Sequence, residues 1–329
     1  MELQSTGILV KGSNYLEAIS KVDTIVMDKT GTITKGIFKV QKINAIDISE
    51  NELLEMTAYA EYNSNHPISV SLKNEYKGEI DTSKISEIEE ITGLGVKACV
   101  FEKNILVGNS KLMKENKINF EESDEIGTIV YVAIENKYVG YIVIADEIKE
   151  DVQKAIKDMK KMGIKNTIML TGDKFEIANS VGKTVGIDEV YAELLPTDKF
   201  EKLEEILKNE EDGKKVAYIG DGINDAPSLA RADVGIAMGG IGSDAAIEVA
   251  DAIIMTDEIS KISTAINISK KTLKIVKQNI IFAIGIKILV LILGAVGIST
   301  MWEAVFADVG VSVIAIINAM RTLKYSKST

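Results

Sequence analysis

The 329-residue chain has a single cysteine, Cys99, and a single histidine, His66. A lone cysteine excludes an internal disulfide framework and any CxxC metal site, which places the soluble part in a reducing, cytosolic setting. Basic residues are in the minority, 38 against 49 acidic ones, and the formal net charge of -11 speaks against a surface that wraps nucleic acid. Met1 to Asn14 mixes charge, glycine and short apolar runs, so no signal peptide is expected there. Internal repeats and low-complexity segments are also missing. These exclusions leave a body of two or three domains that handles cations.

Two long apolar runs stand near the end, Ile275 to Gly297 and Met301 to Met320. Each is close to the ~20 residues that span a bilayer core. Buried core helices would also be apolar, but these runs are adjacent and flanked by basic clusters: Lys270, Lys271, Lys274 and Lys277 before, and Arg321, Lys324 and Lys327 after. By the positive-inside rule both ends are cytoplasmic, so a hairpin with a tight outer turn near Ile298 to Thr300 is expected, with Trp302 at the outer interface.

Between Val22 and Asp251, apolar β-rich runs alternate with helical patterns, the signature of an α/β doubly wound parallel sheet. Strand candidates are Thr24 to Met27, Tyr141 to Ala145, Thr167 to Leu170, Val216 to Ile219 and Ala252 to Met255. Three of them end in polar clusters: Asp28, then Thr171-Gly172-Asp173, then Gly220-Asp221-Gly222. In such a sheet ligands bind beyond the carboxyl ends of the strands, so these clusters should converge on one crevice. From about Lys35 to Tyr138 the alternation breaks into two helices, Glu50 to Asn63 and Pro67 to Tyr76, followed by short strands with turns at Thr92-Gly93 and Gly108-Asn109. This reads as an inserted α+β domain.

The run "TIVMDKTGTITKG" sets a carboxylate at a strand tip before residues suited to gripping a phosphate. An aspartate and a phosphate repel each other, so a cation must stand between them. Asp28 and Asp221 could hold Mg²⁺, an ion that prefers hard oxygen ligands. Thr171 and Lys199 could hold the remaining phosphate oxygens. Plainer readings exist for two of these residues: Lys199 as a solvated helix residue and Asp173 as the N-cap of a helix starting near Phe175.

"DKTGT" at Asp28 to Thr32, "TGD" at Thr171 to Asp173, "PTDK" at Pro196 to Lys199 and "GDGINDAP" at Gly220 to Pro227 resemble the P-type ATPases, ion pumps with a haloacid-dehalogenase-like catalytic domain. The resemblance implies that Asp28 is phosphorylated by ATP and that Lys29 and Thr30 shape the loop. It further implies that Asp221 and Asp225 surround Mg²⁺, with Asp28 and Thr30 adjoining, and that Asn224 and Lys199 contact the phosphate. Simple phosphatases of this superfamily carry a second aspartate where this chain has Thr30. Without that general base, water attacks the aspartyl phosphate slowly, which suits a pump.

"AEYNSNHPIS", with the glycine turns Gly93-Leu94-Gly95 and Gly108-Asn109, resembles the nucleotide-binding domain of the heavy-metal branch. That implies ATP contacts at Glu61, His66, Gly93, Gly95, Gly108 and Asn109, although a lone histidine is more often structural. In the apolar runs, Lys287 and Asp308 each face an insertion cost of ~2.5–3.5 kcal/mol and need a partner or a purpose. Counted from the outer turn they lie roughly 16 and 12 Å deep, within reach of each other. They read as a structural ion pair, or as an ion ligand (Asp308) with its counter-charge (Lys287). "DVGVSVIAIINAMR" resembles the last membrane helix of zinc-, cadmium- and lead-exporting ATPases, and an aspartate there favours a divalent ion over Cu⁺.

The expected layout is therefore a stalk at 1–20, a phosphorylation domain at 21–34 and 141–265, a nucleotide-binding domain at 35–140, a stalk and membrane helix at 266–298, a second membrane helix at 299–321 and a cytoplasmic tail at 322–329. The partners implied by the resemblance are ATP, a divalent heavy-metal ion, the plasma-membrane bilayer and an amino-terminal half with a Cys-Pro-Cys helix and an actuator domain. Two other readings stay open: a membrane-tethered phosphatase, and a non-catalytic nucleotide-binding subunit.

Overall fold

The structure is a computed structural model that describes residues 6–222, 225–239, 244–298 and 301–322. In chain order its strands are β1 (Ile8–Val10), β2 (Val22–Asp28), β3 (Thr34–Ala45), β4 (Ile85–Ile91), β5 (Gly95–Val100), β6 (Lys103–Gly108), β7 (Thr128–Ile134), β8 (Lys137–Ile148), β9 (Asn166–Leu170), β10 (Glu189–Tyr191), β11 (Lys215–Gly220), β12 (Val234–Met238) and β13 (Ala252–Ile254). They form two sheets in two compact units, one running through Ile33 and resuming at Lys149, the other Thr34–Ile148.

The first unit holds a seven-stranded sheet in the order β1-β13-β12-β11-β2-β9-β10, parallel except for β1. Beside the central strand β11, β2 is buried along its whole length, which is why it reads as a near-continuous apolar run. Ile25, Val26 and Met27 are fully buried there, each worth roughly 1.5–3 kcal/mol of transfer free energy. From β2 the chain steps to β9 and β10 on one side, then returns to build β11, β12 and β13 on the other. That reversal makes the carboxyl end of β2 a topological switch point, where a doubly wound sheet forms its crevice. Helix Val152–Lys161 presents Val152, Ala155, Ile156 and Met159 to the core at helical spacing and stops before Gly163, whose φ is 95°.

The second unit is a six-stranded antiparallel sheet in the order β3-β8-β7-β6-β5-β4. Helices Glu50–Ala60 and Pro67–Glu75 bring Leu53, Tyr59 and Leu72 against Val96, Ile142 and Ile144. On the alternate residues of the same strands, Leu106, Tyr131 and Val143 pack with Leu112 and Met113 of the short helix Ser110–Glu115.

Two helices are long and apolar enough to cross a membrane, Ser260–Ala295 and Met301–Ala319. The first spans roughly 54 Å at 1.5 Å per residue. Its early turns bury Ile262, Ile266 and Ile275 and pack on helices Ser13–Lys21 and Val152–Lys161, whereas its apolar stretch is exposed. Ser299, Thr300, Lys324 and Lys327 lie outside the described residues.

Three expectations need correction. Tyr141 to Ala145 is part of β8 in the inserted sheet, so the first unit resumes at Lys149 and not at 141. Both faces of β8 are covered, by the two clusters above, and a strand buried on both faces carries the continuous apolar run of a parallel strand. Residues 8–10 belong to the catalytic sheet as its antiparallel edge strand and are not part of a stalk. The insert also opens on β3, whose three lysines, Lys35, Lys39 and Lys42, masked its strand pattern.

Candidate active site

Strand register explains why the motif residues meet. Asp28 pairs level with Leu170, so Thr171 follows immediately beside it, and Met27 pairs level with Ile219, which sets Asp28 level with Gly220, just before Asp221. Carboxylate oxygens of Asp28, Asp221 and Asp225 consequently all lie within 4.8 Å of one another. The Lys199 ammonium bonds the Asp28 carboxylate and stands 3.6 Å from Asp225, while the buried Tyr218 hydroxyl donates to Asp225 at 2.9 Å. Pro196, the first residue of helix Pro196–Lys208, and Asp198, which accepts from the Leu195 N–H at 2.9 Å, fix the turn that delivers Lys199. Lys199 is thus no solvated helix residue.

Between β2 and the insert, the loop turns at Gly31 with φ 73°, and a Cβ there would sit 1.5 Å from Asp221 Oδ2. Only glycine lets backbone and carboxylate approach so closely. The buried Lys29 pairs with Asp173, so Asp173 does not cap the helix Phe175–Val185, whose N-cap is Lys174. Thr171 is buried, and its Oγ accepts from the Asp173 N–H at 3.2 Å. Gly172 lies beside the Leu194 carbonyl, 3.2 Å from where a Cβ would be. Thr30 is exposed on the loop. Asn224 lies outside the described residues.

Charge crowding is evident. Burial and then the Asp225 carboxylate push Asp28 up to about 7. Asp221 is raised by the same two causes in the same order. Burial opposes the charge of Lys199, but Asp28 and Asp225 outweigh it and lift that group too. Three carboxylates this close offer only oxygen ligands, and even with Lys199 beside them they still have the electrostatic need for a hard divalent ion, which Mg²⁺ fits.

Sequence reasoning missed Lys149. Its buried ammonium donates to the Gly31 carbonyl at 2.7 Å and pairs with Asp257 at 2.8 Å, clamping the loop beneath the site. It sits in the charged run "DEIKED", which gave no hint of burial. Tyr218 carried no signal either, being one aromatic within an apolar strand.

In the second unit a cavity of about 270 Å³ is lined by Glu61, His66, Gly93, Gly95, Gly108 and Asn109, all six residues named from the sequence, together with Ser69, Glu90, Thr128 and Ile129, which were not. Gly95 pairs with Gly108 across β5 and β6, where a Cβ on Gly95 would be 2.2 Å from the Val107 carbonyl. Asn109 Nδ2 donates to the Gly93 carbonyl at 2.9 Å, and its Oδ1 caps helix Ser110–Glu115. Glu61 is buried and accepts from the Ser69 hydroxyl at 2.6 Å; burial raises its pKa, with the Ser69 bond opposing. His66 Nδ1 accepts from the Ile68 N–H at 3.3 Å, capping helix Pro67–Glu75.

In the hairpin, Lys287 Nζ lies 3.2 Å from Asp308 Oδ1. Asp308 falls in a wide π-helical turn, Phe306–Gly310, and the Ser312 hydroxyl donates to its carbonyl at 2.7 Å.

Residues 22–233 match the haloacid dehalogenase-like hydrolase family. A zinc-transporting ATPase of Synechocystis sp. is 51% identical over 97% of this chain and 44% of its own length. A cadmium, zinc and cobalt-transporting ATPase of Bacillus subtilis is 52% identical over 97% and 45%. The chain therefore spans somewhat under half the length of these curated relatives. Among solved structures, a zinc-transporting PIB-type ATPase in its E2.Pi state superposes with a TM-score of 0.84 at 30% identity, over 96% of this chain and 52% of that one. The catalytic domain of a CPx-ATPase gives 0.62 at 31% identity over 79% and 95%. With its hydrolase core, its strand-tip carboxylates and these relatives, the chain belongs to the haloacid dehalogenase-like hydrolases and, within them, to the heavy-metal P-type ATPases.

Proposed function

We propose that the chain is the catalytic and carboxyl-terminal membrane part of a pump that exports a divalent heavy metal (Zn²⁺, Cd²⁺ or Pb²⁺), with Asp28 carrying the phosphoryl group of ATP in each cycle. The observation that supports this most is the meeting of Asp28, Asp221 and Asp225 with Lys199 at the ends of adjacent parallel strands. An Asp28 carboxylate oxygen attacks the γ-phosphorus of ATP, the bond from that phosphorus to the bridging oxygen breaks, and ADP leaves with the electron pair. Lys199 offsets charge on the transferring group, and Thr171, Gly172 and Asn224 hold its oxygens. Asp28, Asp221 and Asp225, with Thr30 adjoining, would hold Mg²⁺, which would supply the positive charge that lets two anions approach. Lys29, anchored on Asp173, keeps the loop in place.

In this reading Glu61, His66 and the glycines of the inserted unit take the adenine end of ATP, because Gly95 and Gly108 leave room for a flat ring to lie on the backbone. Thr30 offers no carboxylate to activate water, so the phosphoenzyme outlives simple hydrolysis. Asp308 serves as an oxygen ligand of the exported ion, and Lys287 replaces the ion's charge on release. In this reading both catalytic units lie on the cytoplasmic side of the plasma membrane, which the lysine clusters flanking the apolar runs support. A companion amino-terminal part supplies the remaining membrane helices.

The test is transport. Vesicles holding this chain together with an amino-terminal part from a relative should accumulate zinc when given ATP and Mg²⁺, and Asp28→Asn should stop it. Zinc uptake that persists in Asp28→Asn would overturn the proposal.

A further inference from the structure

Helix Val152–Lys161 lies beside the early turns of the long helix Ser260–Ala295 and runs in the same direction. Two contacts fix this: the Ser260 N–H donates to Asp151 Oδ2 at 2.7 Å, and further along Lys270 Nζ donates to the Met162 carbonyl at 2.7 Å. The Met162 end thus points toward the apolar stretch that begins at Ile275, roughly 8 Å beyond Lys270 at 1.5 Å per residue.

Lysines run along this helix, from Lys154 in its first turn to Lys160 and Lys161 in its last. A groove of about 860 Å³ between helices Val152–Lys161 and Phe175–Val185 is lined by Lys154, Lys157, Lys160, Lys161 and Lys183, and no carboxylate lines it. Lys160 pairs with Asp188 at 2.5 Å and Lys161 with Asp158 at 3.1 Å. Among the described residues, Lys154, Lys157 and Lys183 have no carboxylate partner within 4.0 Å. Lys154, Lys157 and Lys161 recur at helical spacing and form one stripe. Lys270, Lys271 and Lys274 follow on the long helix just before its apolar stretch, and Lys277 lies just inside it. A chain with a net charge of -11 has thereby concentrated like positive charge at one place, which folding alone does not reward.

We propose that this stripe and groove, together with the lysines at the base of the long helix, dock on anionic phospholipid headgroups of the leaflet that faces the catalytic unit. The inference rests on the hairpin crossing a membrane and is independent of the chemistry at Asp28. Anionic headgroups complement the charge, each lysine near such a surface gains ~1 kcal/mol, and the attraction decays over a Debye length of ~8–10 Å. The Met162 end falls within that decay length of the apolar stretch, so Lys160 and Lys161 gain most, whereas Lys154 stands roughly 10 Å farther back at ~1.5 Å per residue and gains least. Docking holds the base of the catalytic unit against the membrane where the long helix enters it.

The full chain reconstituted in bilayer discs of phosphatidylcholine, with or without phosphatidylglycerol, tests this by electron paramagnetic resonance of spin-labelled lipids. Wild type should select labelled phosphatidylglycerol over labelled phosphatidylcholine by ~3-fold at low salt, and the preference should vanish at high salt. Combined Lys154→Gln, Lys157→Gln and Lys161→Gln should cut the preference by ~2-fold, the corresponding glutamate substitutions should cut it further, and arginine substitutions should restore it. Circular dichroism guards against misfolding. Equal selectivity in wild type, glutamine and glutamate forms overturns the proposal. So does a glutamate-rich peptide that binds wild type and not the glutamine form while lipid selectivity stays unchanged, since the groove would then belong to an acidic protein segment.

Discussion

Gly31 shows how one residue type can decide a site. Its φ of 73° suits glycine, and any Cβ collides with Asp221. Gly31→Ala combines a backbone penalty of ~1–3 kcal/mol with displacement of a carboxylate that should hold Mg²⁺. It should lower Mg²⁺-dependent phosphorylation of Asp28 by at least ~10-fold while the circular dichroism spectrum stays unchanged, since the loop and not the sheet carries the strain. The ionisation of Asp28 gives a second expectation. Burial and Asp225 lift its pKa to about 7, whereas an unfolded aspartate ionises near ~4. In metal-free protein this group's contribution to stability is therefore present below pH ~4 and lost as pH rises through about 7. If Mg²⁺ binds the ionised form as proposed, binding below about pH 7 must expel a proton, and apparent affinity should fall by up to ~10-fold per pH unit. Calorimetric titration of Mg²⁺ at acidic pH in two buffers of different ionisation enthalpy should read proton release; its absence would contradict the crowded-carboxylate account. Asp28, Asp221 and Lys199 were legible because their motifs fix chemistry in sequence. Lys149 was not, because a buried lysine and a solvated one look alike until the fold supplies the Gly31 carbonyl and Asp257.

At the scale of elements, patterning located β2, β9 and β11 because parallel strands buried on both faces are continuously apolar. The same rule misassigned β8, which is buried on both faces inside an antiparallel sheet. Short edge pieces such as β1 and β10, three residues each, offer no period to detect. Helix Pro67–Glu75 illustrates an element whose end does two things, since His66 both caps it and lines the cavity. Alanine and asparagine separate the roles. His66→Ala removes the cap, at a cost of ~0.5–2 kcal/mol, whereas His66→Asn keeps a cap acceptor and loses only the ring. Both should weaken ATP binding to the full chain by roughly 10-fold, worth ~1.4 kcal/mol, while only the alanine form should melt earlier. If His66→Asn binds ATP like wild type, the imidazole is a cap and nothing more.

For the whole molecule, apolar run length and flanking lysines outlined the hairpin, and counting residues from the outer turn anticipated that Lys287 and Asp308 would meet, as they do at 3.2 Å. The wide turn that carries Asp308 was not legible, because a single extra residue in a helical turn leaves no mark on composition. In a pump reassembled with an amino-terminal part, Asp308→Ala should abolish zinc-stimulated ATP hydrolysis per folded molecule. Lys287→Ala should leave zinc binding and slow release, because nothing then neutralises the emptied carboxylate. A purely structural pair would instead lower the amount of folded protein in both variants and leave activity per molecule unchanged. All of this depends on Asp28 being the group that accepts phosphate, and one measurement addresses that directly. Incubation of the chain with γ-labelled ATP and Mg²⁺, followed by acid quench, should leave an acid-stable label that hydroxylamine removes and that maps to the peptide containing Asp28. Asp28→Asn should carry none; a label that survives this substitution, or that maps elsewhere, would contradict the account.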